Sequence, residues 1–155
     1  MQIKKYDTFL RQDNTPELIL EKSVVYGEET ILNKPELIAE MFRQVFLLDR
    51  RTEEYVYMLA LNTKCVPIGA FELYHGTVNT TVVSPREVYM KALLCGAVSV
   101  VIVHNHPSGD VTPSEADLGM VDNMKQAGVM LEVELMDSII ISSKDYYSFR
   151  ETQWV

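Results

Sequence analysis

The segment formed by residues 99–103 constrains the fold more than any other part of the chain. It contains four consecutive β-branched residues after Ser99. A strand with one solvated face alternates apolar and polar side chains, whereas this run indicates a strand buried on both faces. The chain must therefore supply a sheet around this strand and helices to cover it.

Three segments predict helices. Residues 33–36 open the first, with Asn33 as the expected N-cap and Glu36 three residues on. The segments 84–87 and 112–115 both read Ser/Thr-Pro-x-Glu, a capping box with proline at the first helical position. They predict a second helix that runs to about Gly96 and a third that ends at Gly128.

Alternating apolar residues and turn signals predict strands around these helices. The predicted strands are 54–62, 66–74, 77–83, 99–103, 129–136 and 138–142, with 146–149 packing the tail. Their order relative to the helices predicts one α/β domain, a mixed sheet sandwiched by helices, over residues 33–155. Residues 1–32 show weak periodicity, and we assign them to an N-terminal extension of uncertain structure.

Composition narrows the class of protein. The 155 residues are 47% hydrophobic, enough for one core, and no apolar run approaches the roughly 20 residues that cross a bilayer. The N-terminus lacks the apolar stretch of a secretory signal, and two cysteines are too few for a disulfide framework. We therefore expect a cytoplasmic protein with reduced thiols and no membrane partner.

The charge argues against a dedicated DNA-binding surface. Nonspecific binding to DNA depends on Lys and Arg side chains that neutralise phosphates. This chain has 14 basic residues against 22 acidic ones, a net charge of −8. Its basic pair Arg50-Arg51 is followed closely by Glu53 and Glu54. We expect no strong direct binding of nucleic acid.

Four residues between positions 104 and 117 predict a metal site. Alternation along a strand places His104 and His106 on one face, and helical spacing places Ser114 and Asp117 on one face of the next helix. The intervening loop can bring two imidazoles and one carboxylate together. Three such ligands, with a fourth position left to water, are typical of catalytic zinc sites.

Each of these residues also has an ordinary structural explanation. A single histidine is more often a packing residue than a ligand, and an aspartate near a helix N-terminus is favourable without a metal. The combination at fixed offsets is far rarer than any one member. We therefore predict that His104, His106 and Asp117 bind one zinc ion.

The spacing His104-x-His106, seven residues, Ser114, two residues, Asp117 matches the signature of the JAMM (MPN) zinc metalloproteases and isopeptidases. More closely, the chain resembles the RadC family of bacterial JAB-domain proteins over about residues 33–155. The matching positions are Glu54, 73–79, 85–87, 104–109, 113–114, Asp117 and 147–149. The resemblance implies a JAB/MPN fold with a cytidine-deaminase-like architecture.

The resemblance also implies roles for two further residues. Glu54 aligns with the family's general-base glutamate, and Ser114 with the serine that assists the oxyanion. Glu53 is expected on the opposite face of the strand, and Glu72 is the alternative base. Without the resemblance, Glu53 and Glu54 could simply be a solvated pair of charges.

The chain departs from the family pattern in two places. RadC proteins usually carry an N-terminal helix-hairpin-helix module, and residues 1–32 contain no such glycine-bearing hairpin, as in a shorter branch of the family. Asp137-Ser138 stands where the family usually has Asp-His. A histidine there would orient a metal ligand or the substrate without binding the metal itself. Serine at this position is therefore expected to loosen the site.

Three functions remain open at this point. The first is a zinc-dependent hydrolase of peptide or isopeptide bonds, with a protein or peptide as substrate. The second is an accessory protein in DNA repair or anti-restriction, and the third is a catalytically silent MPN interaction module. The complete ligand set favours the first. We expect His75 to lie in a loop, and Asn105 and Ser108 to have structural roles only.

Overall fold

A computed structural model describes residues 1–28, 31–77 and 83–155. In chain order these residues form β1 (Gln2–Leu10), β2 (Pro16–Val25), α1 (Pro35–Phe46), β3 (Glu54–Leu61), β4 (Pro67–Gly76), α2 (Pro85–Leu94), β5 (Ser99–Asn105), α3 (Glu115–Leu131), β6 (Glu134–Ile141) and β7 (Tyr146–Ser148). A short 3-10 turn, Leu48–Arg50, follows α1. None of the helices in the described part of the chain is long and apolar enough to span a bilayer.

The strands form a single mixed sheet in the order β2-β1-β4-β3-β5-β6-β7. The central strand β3 is antiparallel to both β4 and β5, whereas β5 and β6 are parallel. A parallel pair needs a crossover connection, and α3 provides it. The predicted mixed α/β sheet is confirmed.

The sheet has a hydrophobic core on each face. On one face α1 packs through Phe42 against Tyr57 of β3. On the other face α2 and α3 pack on a second cluster that includes Met58 and Met124. Alternate residues of β5 enter the two cores, and all seven are buried. The β-branched run therefore has the two buried faces that its composition predicted.

Two predicted helix starts were wrong by one or two residues. Lys34, not Asn33, is the N-cap of α1, and its side chain makes no capping bond. Ser114, not Thr112, is the N-cap of α3, because Ser114 and Asp117 close a complete capping box. The start of α2 at Pro85 is confirmed, with Ser84 accepting a hydrogen bond from the Arg86 N–H.

The third helix is longer than predicted, and this changes the strand after it. Helix α3 passes through Gly128 to Leu131 and ends at Glu132, which adopts a left-handed conformation with φ 55°. The predicted strand 129–136 was therefore wrong over its first residues. Strand β6 runs without interruption from Glu134, so the second predicted strand is part of it. The hairpin turn at 62–64 is confirmed between β3 and β4.

The N-terminal residues form a β-hairpin that the sequence did not reveal. Strands β1 and β2 are antiparallel, and β1 adds to β4 in parallel, so the hairpin extends the sheet. The domain boundary at residue 33 stays a prediction. His75 was wrongly expected in a loop, since it lies in β4 opposite Tyr55. Most of the strand expected at 77–83 falls outside the described residues.

Candidate metal centre

The C-terminal end of β5 and the N-terminal end of α3 meet at one point of the molecule. His104 lies in β5, His106 follows that strand by one residue, and Asp117 lies in the first turn of α3. The connecting loop turns at Gly109, whose φ of 84° is easily adopted only by glycine. The loop thus brings a helix start back over the end of the strand that precedes it.

The structure brings the three predicted ligands together. His104 Nε2 lies 3.2 Å from His106 Nε2 and 3.0 Å from Asp117 Oδ1. His106 Nε2 lies 3.4 Å from Asp117 Oδ2. The side chains of His104 and Asp117 are 1% and 8% exposed and that of His106 is 15% exposed. The three donor groups form a nearly closed triangle at the edge of the core.

The size of this triangle matches a tetrahedral metal ion. Nitrogen and oxygen ligands bind zinc at roughly 2.0–2.2 Å, and two ligands on a tetrahedron are then separated by about 3.3 Å. The two histidine nitrogens lie 3.2 Å apart, and each lies 3.0 or 3.4 Å from one of the two Asp117 carboxylate oxygens. In the described part of the chain, His104, His106 and Asp117 are the group of potential metal ligands whose ligand atoms lie close together.

The tautomer of His106 also suits a metal ligand. Its Nδ1 lies 2.7 Å from the backbone carbonyl of Asp110, which can only accept, so Nδ1 carries the proton. In the neutral ring Nε2 then has a free lone pair, and this atom lies 3.2 Å from His104 Nε2 and 3.4 Å from Asp117 Oδ2. A backbone carbonyl on the far ring nitrogen is the usual support for a metal-bound histidine.

Asp117 is held as a carboxylate by its surroundings. Its Oδ2 accepts hydrogen bonds from Ser114 N at 2.7 Å and Ser114 Oγ at 2.8 Å. Burial opposes the charged form, but the close approach of the His104 and His106 rings outweighs burial and holds the pKa of Asp117 well below its ordinary value. The same partnership acts on His106: burial lowers its pKa, yet the bond to Asp117 leaves the pKa raised.

Glu54, the predicted general base, begins the strand that pairs with β5. It is the first residue of β3 and is 4% exposed. Val56 pairs with His104 in the ladder between β3 and β5, so alternation places Glu54 on the same face as the histidines. The charge of Glu54 contributes to the raised pKa of His106.

The two other glutamates considered as bases lie elsewhere. Glu72 accepts a hydrogen bond from Tyr57 at 3.0 Å, pairs with Lys5 at 3.2 Å, and contacts His75 at 2.9 Å. Because Tyr57 packs with α1, this group occupies the opposite face of the sheet. Hydrogen bonds from His75 and Lys5 outweigh burial and lower the pKa of Glu72. Glu53 is exposed and precedes β3.

Two buried polar atoms near the centre have no hydrogen-bond partner among the described residues. One is Nδ1 of His104 and the other is the hydroxyl of Ser138. Ser138 pairs with Ile102 in β5, two residues before His104, and alternation places both side chains on one face. The Asp110 carbonyl orients the ring of His106, and no group among the described residues orients the ring of His104 in the same way.

Sequence reasoning missed two contacts of this site. The carbonyl of Asp110 belongs to the backbone, so no residue type signals it. Asn105 was expected to have only a structural role, yet its side-chain amide binds the backbone on both sides of Glu54. A polar residue at the end of an apolar strand was the one available signal for it.

The fold and these residues define an α/β domain with a candidate metal centre at the end of a central strand. The model of the RadC-like JAB domain family matches residues 32–154, and the chain belongs to this family. The mixed seven-stranded sheet with helices on both faces is consistent with a JAB/MPN domain.

Several proteins are similar to this chain. The UPF0758 protein of Streptococcus suis is 36% identical over 97% of this chain and 57% of that protein. The UPF0758 protein of Chlorobium chlorochromatii is 44% identical over 64% of this chain and 45% of that protein. The UPF0758 protein of Thermotoga maritima is 44% identical over 63% of this chain and 44% of that protein. The chain thus spans about half the length of the curated relatives it matches, and their names state no activity.

Proposed function

We propose that this protein is a zinc-dependent metallohydrolase that cleaves an amide bond, peptide or isopeptide, in a protein or peptide substrate. The observation that carries the proposal is the triangle of His104, His106 and Asp117, whose donor atoms lie 3.0–3.4 Å apart. Membership of the RadC-like JAB domain family supports it. We place the reaction in the cytoplasm, as the sequence led us to expect.

The donor set favours zinc and a catalytic site. Two imidazoles and a carboxylate suit zinc, whereas structural zinc sites use four protein ligands, usually with cysteine. The two cysteines of the chain are free thiols and are not members of the ligand group. A zinc ion bound here would act as a Lewis acid and lower the pKa of a bound water to about 7.

Glu54 acts as the general base and then as the general acid. A carboxylate beside the metal ligands takes a proton from the attacking water and delivers it to the departing amide nitrogen. The position of Glu54 supports this role, since it lies on the face of the sheet that carries His104. Its burial also shields the transferred proton from solvent.

Ser114 assists the developing oxyanion rather than attacking the substrate. A serine nucleophile needs a base to remove its proton. His104 and His106 are directed at Asp117, and His75 is bound to Glu72 on the other face of the sheet, so each histidine is engaged elsewhere. The Ser114 hydroxyl donates to Asp117 in this structure, so it would have to turn toward the substrate oxygen.

The test is cleavage of a library of peptides and isopeptides, read by mass spectrometry. We expect the wild type to cleave, chelator to abolish cleavage and zinc to restore it. Glu54→Gln should retain zinc and lose at least ~10²-fold in turnover, because only the proton transfer is removed.

The matched control is Glu53→Gln, which changes the neighbouring exposed carboxylate and should leave turnover intact. Glu72→Gln should also stay active, since Glu72 lies on the opposite face. An active Glu54→Gln together with an inactive Glu72→Gln would show that Glu72, and not Glu54, is the base. Cleavage that persists in chelator would refute a metal-dependent reaction.

A further inference from the structure

Asn105 stands between the two histidines of the candidate centre, and its side chain binds the start of β3. Its Oδ1 accepts a hydrogen bond from Tyr55 N at 2.7 Å, and its Nδ2 donates to the carbonyl of Glu53 at 3.0 Å. Asn105 is 1% exposed. Its amide is therefore a buried clamp on the two peptide groups that flank Glu54.

An amide side chain can make both of these bonds at once. The Tyr55 N–H can only donate and the Glu53 carbonyl can only accept, so the partner must offer an acceptor and a donor together. The backbone pairing between β3 and β5 ends at Val56 and His104. The Asn105 amide continues the connection between the strands by one more pair.

This clamp fixes the backbone at the residue where its direction matters most for the site. Glu54 is the first residue of β3, and the residues before it form a bend. On the β4 side Glu54 pairs with Gly76, whereas the backbone pairing with β5 stops two residues further along, at Val56. Hydrogen bonds on both sides of Glu54 fix the direction in which its side chain leaves the strand, and so limit the positions that its carboxylate can reach.

We propose that Asn105 is a positioning residue that holds Glu54 for proton transfer, an inference that rests on the proposed role of Glu54 as the base. A general base works only within hydrogen-bond reach, ~2.6–3.2 Å, of the proton that it takes. A displacement of about 1 Å in a catalytic group can lower the rate ~10²-fold. Loss of the clamp should therefore reduce turnover while the zinc ligands remain in place.

Asn62 provides the matched control, because it makes a similar clamp just beyond the other end of β3. Its Oδ1 accepts hydrogen bonds from Lys64 N at 2.9 Å and Val66 N at 3.1 Å. Asn62→Ala removes two side-chain-to-backbone bonds far from the metal centre. It reports what such a loss costs the fold alone.

The first measurement compares Asn105→Ala, Asn105→Asp and Asn62→Ala for zinc content, kcat and KM. We expect Asn105→Ala to keep its zinc and lose ~10²-fold in kcat with little change in KM. Asn105→Asp keeps the acceptor for Tyr55 N but sets a carboxylate oxygen against the Glu53 carbonyl, so its kcat should fall as well. Asn62→Ala should keep its kcat.

Each result that contradicts these expectations for the first measurement has its own meaning. An unchanged kcat in Asn105→Ala would overturn the proposal. Loss of zinc in both Asn105 variants would show that Asn105 holds the ligands instead. An equal loss of kcat in Asn62→Ala would trace the effect to general destabilisation. If Asn105→Ala does not fold, Asn105→Asp is compared with Asn62→Ala on the same criteria.

The second measurement needs no substrate, so it separates this inference from the proposed function. Cobalt(II) is paramagnetic and accepts the same ligands as zinc. Relaxation of the carboxyl carbon of Glu54, in protein labelled with ¹³C-glutamate and assigned with Glu54→Gln, reports its distance from the metal. We expect one short distance in the wild type and Asn62→Ala, and a longer or averaged one in Asn105→Ala. An identical relaxation rate in all three would overturn the proposal even if the wild type cleaves no substrate.

Discussion

His106 and Asp117 each meet three partners, and these pairings decide what the site can do. The Asp110 carbonyl holds the proton of His106 on Nδ1, which leaves Nε2 as a lone pair beside Asp117. Two lone pairs facing each other repel unless a cation lies between them. At the scale of single residues the centre is therefore built for a positive charge, which a proton or a metal ion can supply.

Ser114 has a structural duty as well as its proposed catalytic one. Ser114→Ala removes the hydroxyl that donates to Asp117 and accepts from its N–H. Loss of the N-cap should lower the free energy of unfolding by about 1 kcal/mol. Loss of an oxyanion donor should lower turnover ~10²–10³-fold without abolishing it.

Urea denaturation and steady-state kinetics measure the two effects separately. Ser114→Thr keeps the hydroxyl and serves as the control, with most of the stability and turnover retained. Full turnover in Ser114→Ala would remove serine from the mechanism. Labelling of Ser114 by a sulfonyl fluoride, with loss of activity, would make it the nucleophile and contradict the proposed reaction.

At the scale of helices and strands, the sequence predicted which elements are present better than it predicted where they begin and end. Strand β5 and the start of α2 were found because continuous β-branching and a Ser-Pro cap have one ordinary interpretation. The start of α3 was misplaced because two capping boxes overlap there. Thr112 has Glu115 three residues on, and Ser114 has Asp117. Only the fold decides which of the two closes.

Gly128 was taken as the end of α3, and the structure gives it another role. A Cβ at this position would lie 2.6 Å from the Tyr89 hydroxyl and 2.6 Å from the Val133 carbonyl. Tyr89 donates to the Met124 carbonyl at 2.7 Å and so joins α2 to α3. Gly128→Ala should therefore lower the free energy of unfolding by about 1–3 kcal/mol.

Gly119 in the same helix is the control for this substitution. A Cβ there meets no atom within 4 Å, so Gly119→Ala should raise the free energy of unfolding by up to ~1 kcal/mol. Urea denaturation of both variants measures the contrast. A Gly128→Ala variant as stable as Gly119→Ala would show that the contact between the helices has room to relax.

For the whole molecule, the sequence predicted the layered α/β fold and the convergence of His104, His106 and Asp117, but it did not predict the N-terminal hairpin. Strand β2 lies at the edge of the sheet, and most of its residues are exposed. A bulge at Lys5 and Tyr6 also shifts the register, which interrupts the period of two. The contacts of Asn105 and the Asp110 carbonyl depend on the packing of distant segments, so no local pattern reveals them.

Charge is a property of the whole molecule, and it predicts weak binding to DNA. With a net charge of −8, the described surface has little to offer phosphates. We expect duplex binding no tighter than ~10⁻⁴ M at physiological salt, the weak end of nonspecific affinity. A fluorescence titration at several salt concentrations measures it. Micromolar affinity with a steep dependence on salt would favour a role in DNA repair over hydrolysis alone.

Metal content tests the central claim most directly, because every step of the proposed chemistry depends on the three ligands. Plasma mass spectrometry of protein purified without chelator should find close to one zinc per chain. His104→Ala and Asp117→Ala should lose it, because two ligands rarely retain zinc. His75→Ala, which changes the histidine bound to Glu72, should keep it. Equal zinc in the wild type and all three variants, or no metal in any of them, would contradict the account.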